Sequence, residues 1–162
     1  MGKSRSYEIL EFKKKIMGFI VKSPELIKLL DEENSEYPED TIPYNKSFPH
    51  EYVPDTVETT KKFINYDIDS SLDYRNNTFR NITVYFFVHC HKKVTRYSEN
   101  SIDTWYDLVV CQLDEIMSTQ DILGVGEMEL VSNKPYSPQA EFVGRLLVFK
   151  AKDYTNGKKY GK

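Results

Sequence analysis

Two histidines flanking a cysteine, His89-Cys90-His91, are the most metal-like residues in the chain. On an extended backbone the two imidazoles project from one face, about 7 Å apart, close enough to share a tetrahedral ion. Cys90 points the opposite way and His50 is the one other histidine, so structural histidines are the simpler reading. A second constellation is carboxylate. Asp67 and Asp69 share one strand face, Glu127 and Glu129 another, and Lys150 and Lys152 one side of the last strand. Acids on small α+β sheets hold magnesium in some nucleases. A metal-dependent nuclease working through Asp67, Asp69 and Glu127 is therefore the enzymatic alternative, set against charged residues on the wet face of an antiparallel sheet.

Other chemistry leaves no trace in the residues. There is no Gly-x-Ser-x-Gly elbow, no Walker-type run, and Gly124-Val125-Gly126 is too short for a dinucleotide loop. No catalytic residue, metal ligand or cofactor is assigned, and the chain is read as not an enzyme. Cys90 and Cys111 are the only cysteines; with no second pair they suggest two buried thiols in a reducing compartment. The net charge of −3 argues against a dedicated nucleic-acid binder, which would show a strongly basic face. Twelve Tyr and nine Phe against one Trp supply contact area with a polar edge, suited to interfaces and β cores alike.

The elements that would carry these residues follow from periodicity. Tyr7 to Val21 spaces Ile9, Phe12, Ile16, Phe19 and Ile20 as a helix, with Lys13, Lys14 and Lys15 on its wetter side. Ser23-Pro24-Glu25 is a cap, first-turn proline and dipole partner for a second helix, Pro24 to Leu30. Asp31 to Asp40 holds six acids and no base, and reads as a solvated loop. Thr41 to Thr60 sets prolines beside aromatics in Ile42-Pro43-Tyr44, Phe48-Pro49-His50 and Tyr52-Val53-Pro54. Proline favours extended geometry before it, so this is an extended aromatic arm, too apolar to float free. It must lie on its own sheet or on a neighbour.

Lys62 to Ser70 alternates as a first strand, Leu72 to Thr78 supplies a turn, and Arg80 to His91 returns as the clearest strand in the chain. In it Ile82, Val84, Phe86, Val88 and Cys90 form a core face, while Thr83, Tyr85, Phe87, His89 and His91 form an aromatic and polar one. Ser101 or Asp103 caps a third helix whose inward side is Trp105, Leu108, Val109, Gln112, Leu113 and Ile116. Glu127 to Ser132 is a strand with Met128 and Leu130 inward, Asn133 to Pro138 a loop. Phe142 to Lys152, apolar on both sides, is a strand inside the sheet. The result is one α+β domain over residues 1–154, with the arm at 41–60 and a mobile lysine-rich tail at 155–162. Its order is α-α-β-β-α-β-β, a mainly antiparallel four-stranded sheet with helices on one face. Met1 to Tyr7 is polar and no apolar run approaches the roughly 20 residues of a membrane span. A soluble protein, made in the cytoplasm, is expected.

The run Pro43 to Asp55, the strand Ile82 to His91, Gly124-Val125-Gly126 before a strand, and the closing Val148 to Tyr154 resemble small morphogenesis proteins of tailed phages and prophages of Gram-positive bacteria. The helix and strand order resembles their tail terminator, or tail-to-head joining, proteins. That resemblance implies a virion protein assembled in the host cytoplasm, its copies closing into a ring, typically a hexamer, that caps the tail tube and meets a neck or head-completion protein. DNA would pass through an acid-lined lumen without binding. A neck or head-completion connector is the nearest alternative. The alternation pattern makes Tyr44, Phe48, Tyr52, Tyr85 and Phe87 the candidate subunit contacts.

Overall fold

In the computed structural model, residues 5–55, 61–73 and 76–151 are described. The elements are α1 (Arg5–Ile20), α2 (Pro24–Leu29), α3 (Pro38–Thr41), β1 (Lys62–Asp73), β2 (Asn76–His91), a 3-10 turn (Lys92–Val94), α4 (Trp105–Thr119), β3 (Met128–Tyr136) and β4 (Phe142–Ala151). They give the expected α+β order, with α3 a single added turn. The 155–162 tail, Lys152 and residues 56–60 of the arm lie outside the described residues.

Long alternating runs make this sheet. β1 and β2 form a hairpin with Ile64 opposite Val88, Tyr66 opposite Phe86 and Ile68 opposite Val84. β4 then pairs antiparallel with β2 and β3 with β4, so the strand order is β1-β2-β4-β3. β4 is interior, as its two apolar sides require. The turn expected over Leu72–Thr78 is shorter, because both strands run on to Asp73 and from Asn76. The loop expected over Asn133–Pro138 is also corrected: 133–136 continue β3. Proline is tolerated on an edge strand, where one row of donors has no ladder partner, and β3 is that edge.

One face of the sheet carries the main core. Ile64, Val84, Phe86, Val88, Leu147 and Phe149 meet Ile16 and Ile20 of α1, Leu26 of α2, and Val109 and Leu113 of α4. Each such fully buried side chain contributes about 1.5–3 kcal/mol. Ser23 caps α2 by accepting from Leu26 N–H. At α4 the cap is Thr104, whose Oγ1 accepts from Asp107 N–H at 3.2 Å. The expected Ser101 and Asp103 bind each other instead. The inward side of α4 is also rotated: Val110 and Met117 are buried, whereas Leu108, Gln112 and Ile116 are only half-buried. The indole N–H of Trp105 donates to Leu29 O, tying α4 to α2.

Two charged segments expected in water are partly tied down. Lys13 bridges to Asp67 at 2.9 Å and donates to Pro49 O, while Lys15 reaches Leu123 O. In the acidic linker Glu32 pairs with Lys46 and Asp31 with Lys62, both at 2.9 Å. Of the two thiols only Cys90 is buried; Cys111 lies exposed on α4.

Candidate functional site

The sheet face turned away from the helices is where the arm lies. Residues 46–48 run along the outer edge of β1: Lys46 O accepts from Ile64 N–H and Phe48 O from Tyr66 N–H, each at 3.0 Å. Ser47 Oγ donates to Ile64 O. The return donor finds a side chain. Asn65, fully buried, accepts from Phe48 N–H through Oδ1 and donates from Nδ2 to Tyr52 O, both at 3.0 Å. One amide thus clamps the arm at two points and blunts an edge that would otherwise invite strand pairing. Nothing in sequence marks Asn65 except its place among Asp67 and Asp69 on the polar phase of β1, where it reads as solvated.

Behind the clamp a second, smaller core forms from Phe48, Phe63 and Phe142, with Tyr52 and Val53 packed on it. Tyr52 stacks on Phe48 with centroids 3.8 Å apart. Phe48 is therefore spent inside its own chain, and Tyr52 is half-buried. Tyr44 differs. It stands 67% exposed, in the left-handed region at φ 57°, at the tip of a turn in which Lys46 and Ser47 N–H both donate to Ile42 O. A tyrosine in that conformation costs about 1–2 kcal/mol, so the chain carries strain to hold this ring outward.

The metal-like triplet closes the same end of the face. His89 is fully buried, stacked on Phe63 at 5.1 Å and met edge-on by Phe142 and Tyr136. Neither ring nitrogen has a hydrogen-bond partner. Burial lowers its pKa to about 4, against a smaller opposing effect of the Phe87 backbone. Gly144 lies opposite it on β4; a Cβ there would stand 1.8 Å from Val88 O, so no larger residue fits. His91 turns to other work, accepting from Lys93 N–H and facing Glu141 at 3.7 Å. Tyr136 donates its hydroxyl to Glu51 on the arm, and burial with that carboxylate raises its pKa. Burial likewise lifts the Cys90 thiol to about 12.

Beyond the arm the face is open. Tyr85 and Phe87 on β2, with Leu146 and Val148 beside them on β4, form a half-buried apolar band. Asp69, Thr83, Lys150 and Glu129 make one row across the four strands. Three strand spacings separate its two acids, about 14 Å, too far to share an ion. Asp67 is occupied by Lys13 and by Ile68 N–H. Among the described residues no group of three or more His, Cys, Asp or Glu is placed to hold a metal, and no helix is long and apolar enough to cross a membrane.

A family model, YomW, matches residues 23–151, from the cap of α2 to the end of β4. The chain belongs to the YomW family. The family is phage-associated, in agreement with the resemblance seen in the sequence at that coarser level. No curated protein and no solved structure matches the chain significantly. In this YomW-family chain the matched span contains the whole sheet, the arm and α4, and so every residue of the face just described.

Proposed function

We propose that the chain is a structural protein of a phage virion, a tail terminator whose copies close into a ring on the end of the tail tube and join it to the neck. One observation carries this reading: a single sheet face has an aromatic arm locked along one part and an apolar band left open on the rest. Tyr85, Phe87, Leu146 and Val148 are half-buried there, and Tyr44 is held outward at a backbone cost. An interface core needs aromatic and aliphatic area on a rigid support. Membership of a phage-associated family supports the same reading.

In this reading Tyr85 and Phe87 form the centre of a repeated head-to-tail contact, and Tyr44 reaches from the arm to the next copy. Tyr52 and Phe48 support Tyr44 from behind. A cyclic rotation terminates the contact, giving a ring, a hexamer in the terminator case. The exposed acids Glu33, Glu36, Glu39 and Asp40 are available to line a lumen that DNA traverses without binding.

The test is to mix the purified chain with tail tubes and image the ends, for the natural sequence and for Tyr85→Asp and Tyr44→Ala. Rings on tube ends, lost in Tyr85→Asp and weakened in Tyr44→Ala, are expected. A chain that ignores tubes and binds a neck protein would move the assignment to a connector. A chain that binds neither would end it.

A further inference from the structure

A second surface, on the helical side of the molecule, is complementary to itself. α1 turns Tyr7, Glu11, Lys14 and Gly18 outward, spaced by four, three and four residues and so on one face. Tyr7 and its neighbour Leu10 are 55% and 52% exposed. At the other end of the stripe Gly18 opens onto a groove of about 800 Å³ between α1 and α4, with Phe19, Ile116 and Ile122 as its apolar lining. A Cβ at Gly18 would meet nothing within 4 Å.

The rim of this groove holds three lysines and three glutamates. An even balance selects neither an anionic nor a cationic ligand; it suits a surface with the same alternation, and α1 is such a surface. Glu11 and Lys14 face each other along α1 at 3.8 Å, a loose and exposed pair that costs little to exchange; when a second α1 is laid antiparallel about an axis midway between them, each Glu11 also meets the Lys14 of the other copy. The same axis is also midway between Tyr7 and Gly18, which are eleven residues, about 16 Å, apart. Each Tyr7 ring then crosses the other copy's Gly18, where there is no side chain to displace, and covers Phe19 and Ile116. Two charge pairs and two aromatic insertions thus fall in register from a single two-fold operation, the condition for an isologous contact.

We propose that the α1 face with its groove is a two-fold contact between copies of this chain, Tyr7 inserting at Gly18 and Glu11 pairing with Lys14. It uses α1 and α4, away from the open sheet face, and does not rest on the ring reading.

Sedimentation equilibrium on the full chain tests it, with Gly18→Leu, Glu11→Lys, Lys14→Glu and the double variant Glu11→Lys/Lys14→Glu. Leucine at 18 has room in the monomer and a better helix propensity, so folding is retained and is checked by thermal melting. The natural chain is expected to pair at or below about 100 µM. Gly18→Leu should weaken pairing at least about tenfold, each single reversal should weaken it several-fold, and the double reversal should restore it. Absence of self-association, an unchanged Gly18→Leu, or a double variant as weak as the singles would each overturn the proposal. Self-association equally strong in all four variants, with rings still seated on tube ends, refutes the pairing and leaves the ring standing. Pairs lost in Gly18→Leu, with tube ends left bare, do the reverse.

Discussion

Replacing His89 by Phe should remove about 3 kcal/mol of the chain's loss of stability between pH 6.5 and pH 4. His89 is fully buried among Phe63, Phe142 and Tyr136, with both ring nitrogens unpartnered, and its pKa falls from 6.5 to about 4. The folded chain therefore refuses a proton that the unfolded chain accepts. The contribution is fully present above pH 6.5 and is lost as pH falls, because the unfolded state binds more protons there. The whole difference of two and a half pKa units is worth about 3.4 kcal/mol at 1.36 kcal/mol per unit, of which about 2 kcal/mol is gone by pH 5. Glu51 on the arm is bound to Tyr136, whose ring meets His89, and Glu141 faces His91. Phenylalanine keeps the ring contacts and carries no proton. Urea denaturation at half-unit steps from pH 7.5 to 4 measures both proteins, and subtracting one profile from the other isolates this group from the carboxylates. The difference should grow smoothly below pH 6.5, and Phe should be the more stable at every pH, since two unsatisfied polar atoms leave the core. Parallel profiles would contradict a buried imidazole that refuses its proton, as would a His89 imidazole titrating near 6.5 by NMR.

Further outcomes follow from the same face. Asn65→Ala leaves Phe48 N–H and Tyr52 O without their partner; a loss of about 2–4 kcal/mol and faster proteolysis within 44–55 are expected, with Lys13 still bound to Pro49 O and Lys46 to Glu32. Tyr44→Gly relieves the left-handed backbone and gives up one edge contact to Phe48. Its midpoint by thermal melting should stay level or rise by up to about 1 kcal/mol equivalent, while ring formation falls. A thiol reagent should modify one cysteine of the native chain, Cys111, and both after denaturation, because Cys90 is buried and its thiol is pushed up to about 12.

What the sequence made legible was whatever a single element determines by itself. The period-two runs at Ile64-Tyr66-Ile68 and Ile82 to Cys90 predicted their strands and faces, and the doubly apolar Phe142 to Lys152 predicted an interior position, which the sheet order confirms. Ser23-Pro24-Glu25 predicted the start of α2 for the same local reason. The misses depend on partners far along the chain. Pro135 reads as a breaker until β3 is known to be an edge. Lys13 reads as solvated until β1 brings Asp67 beside it, and Glu32 until Lys46 folds back over α2. The site was half legible: aromatic residues at 44–52 announced an arm that must lie on something, but Asn65, which makes that something its own sheet, looked like any polar strand residue.

We propose the open aromatic face as the surface that builds a ring on the tail tube. Electron micrographs of tail tubes incubated with the purified chain test it most directly. Closed rings of uniform subunit number seated on one tube end, and absent with Tyr85→Asp, are predicted; bare tube ends beside a chain that remains dispersed would contradict it.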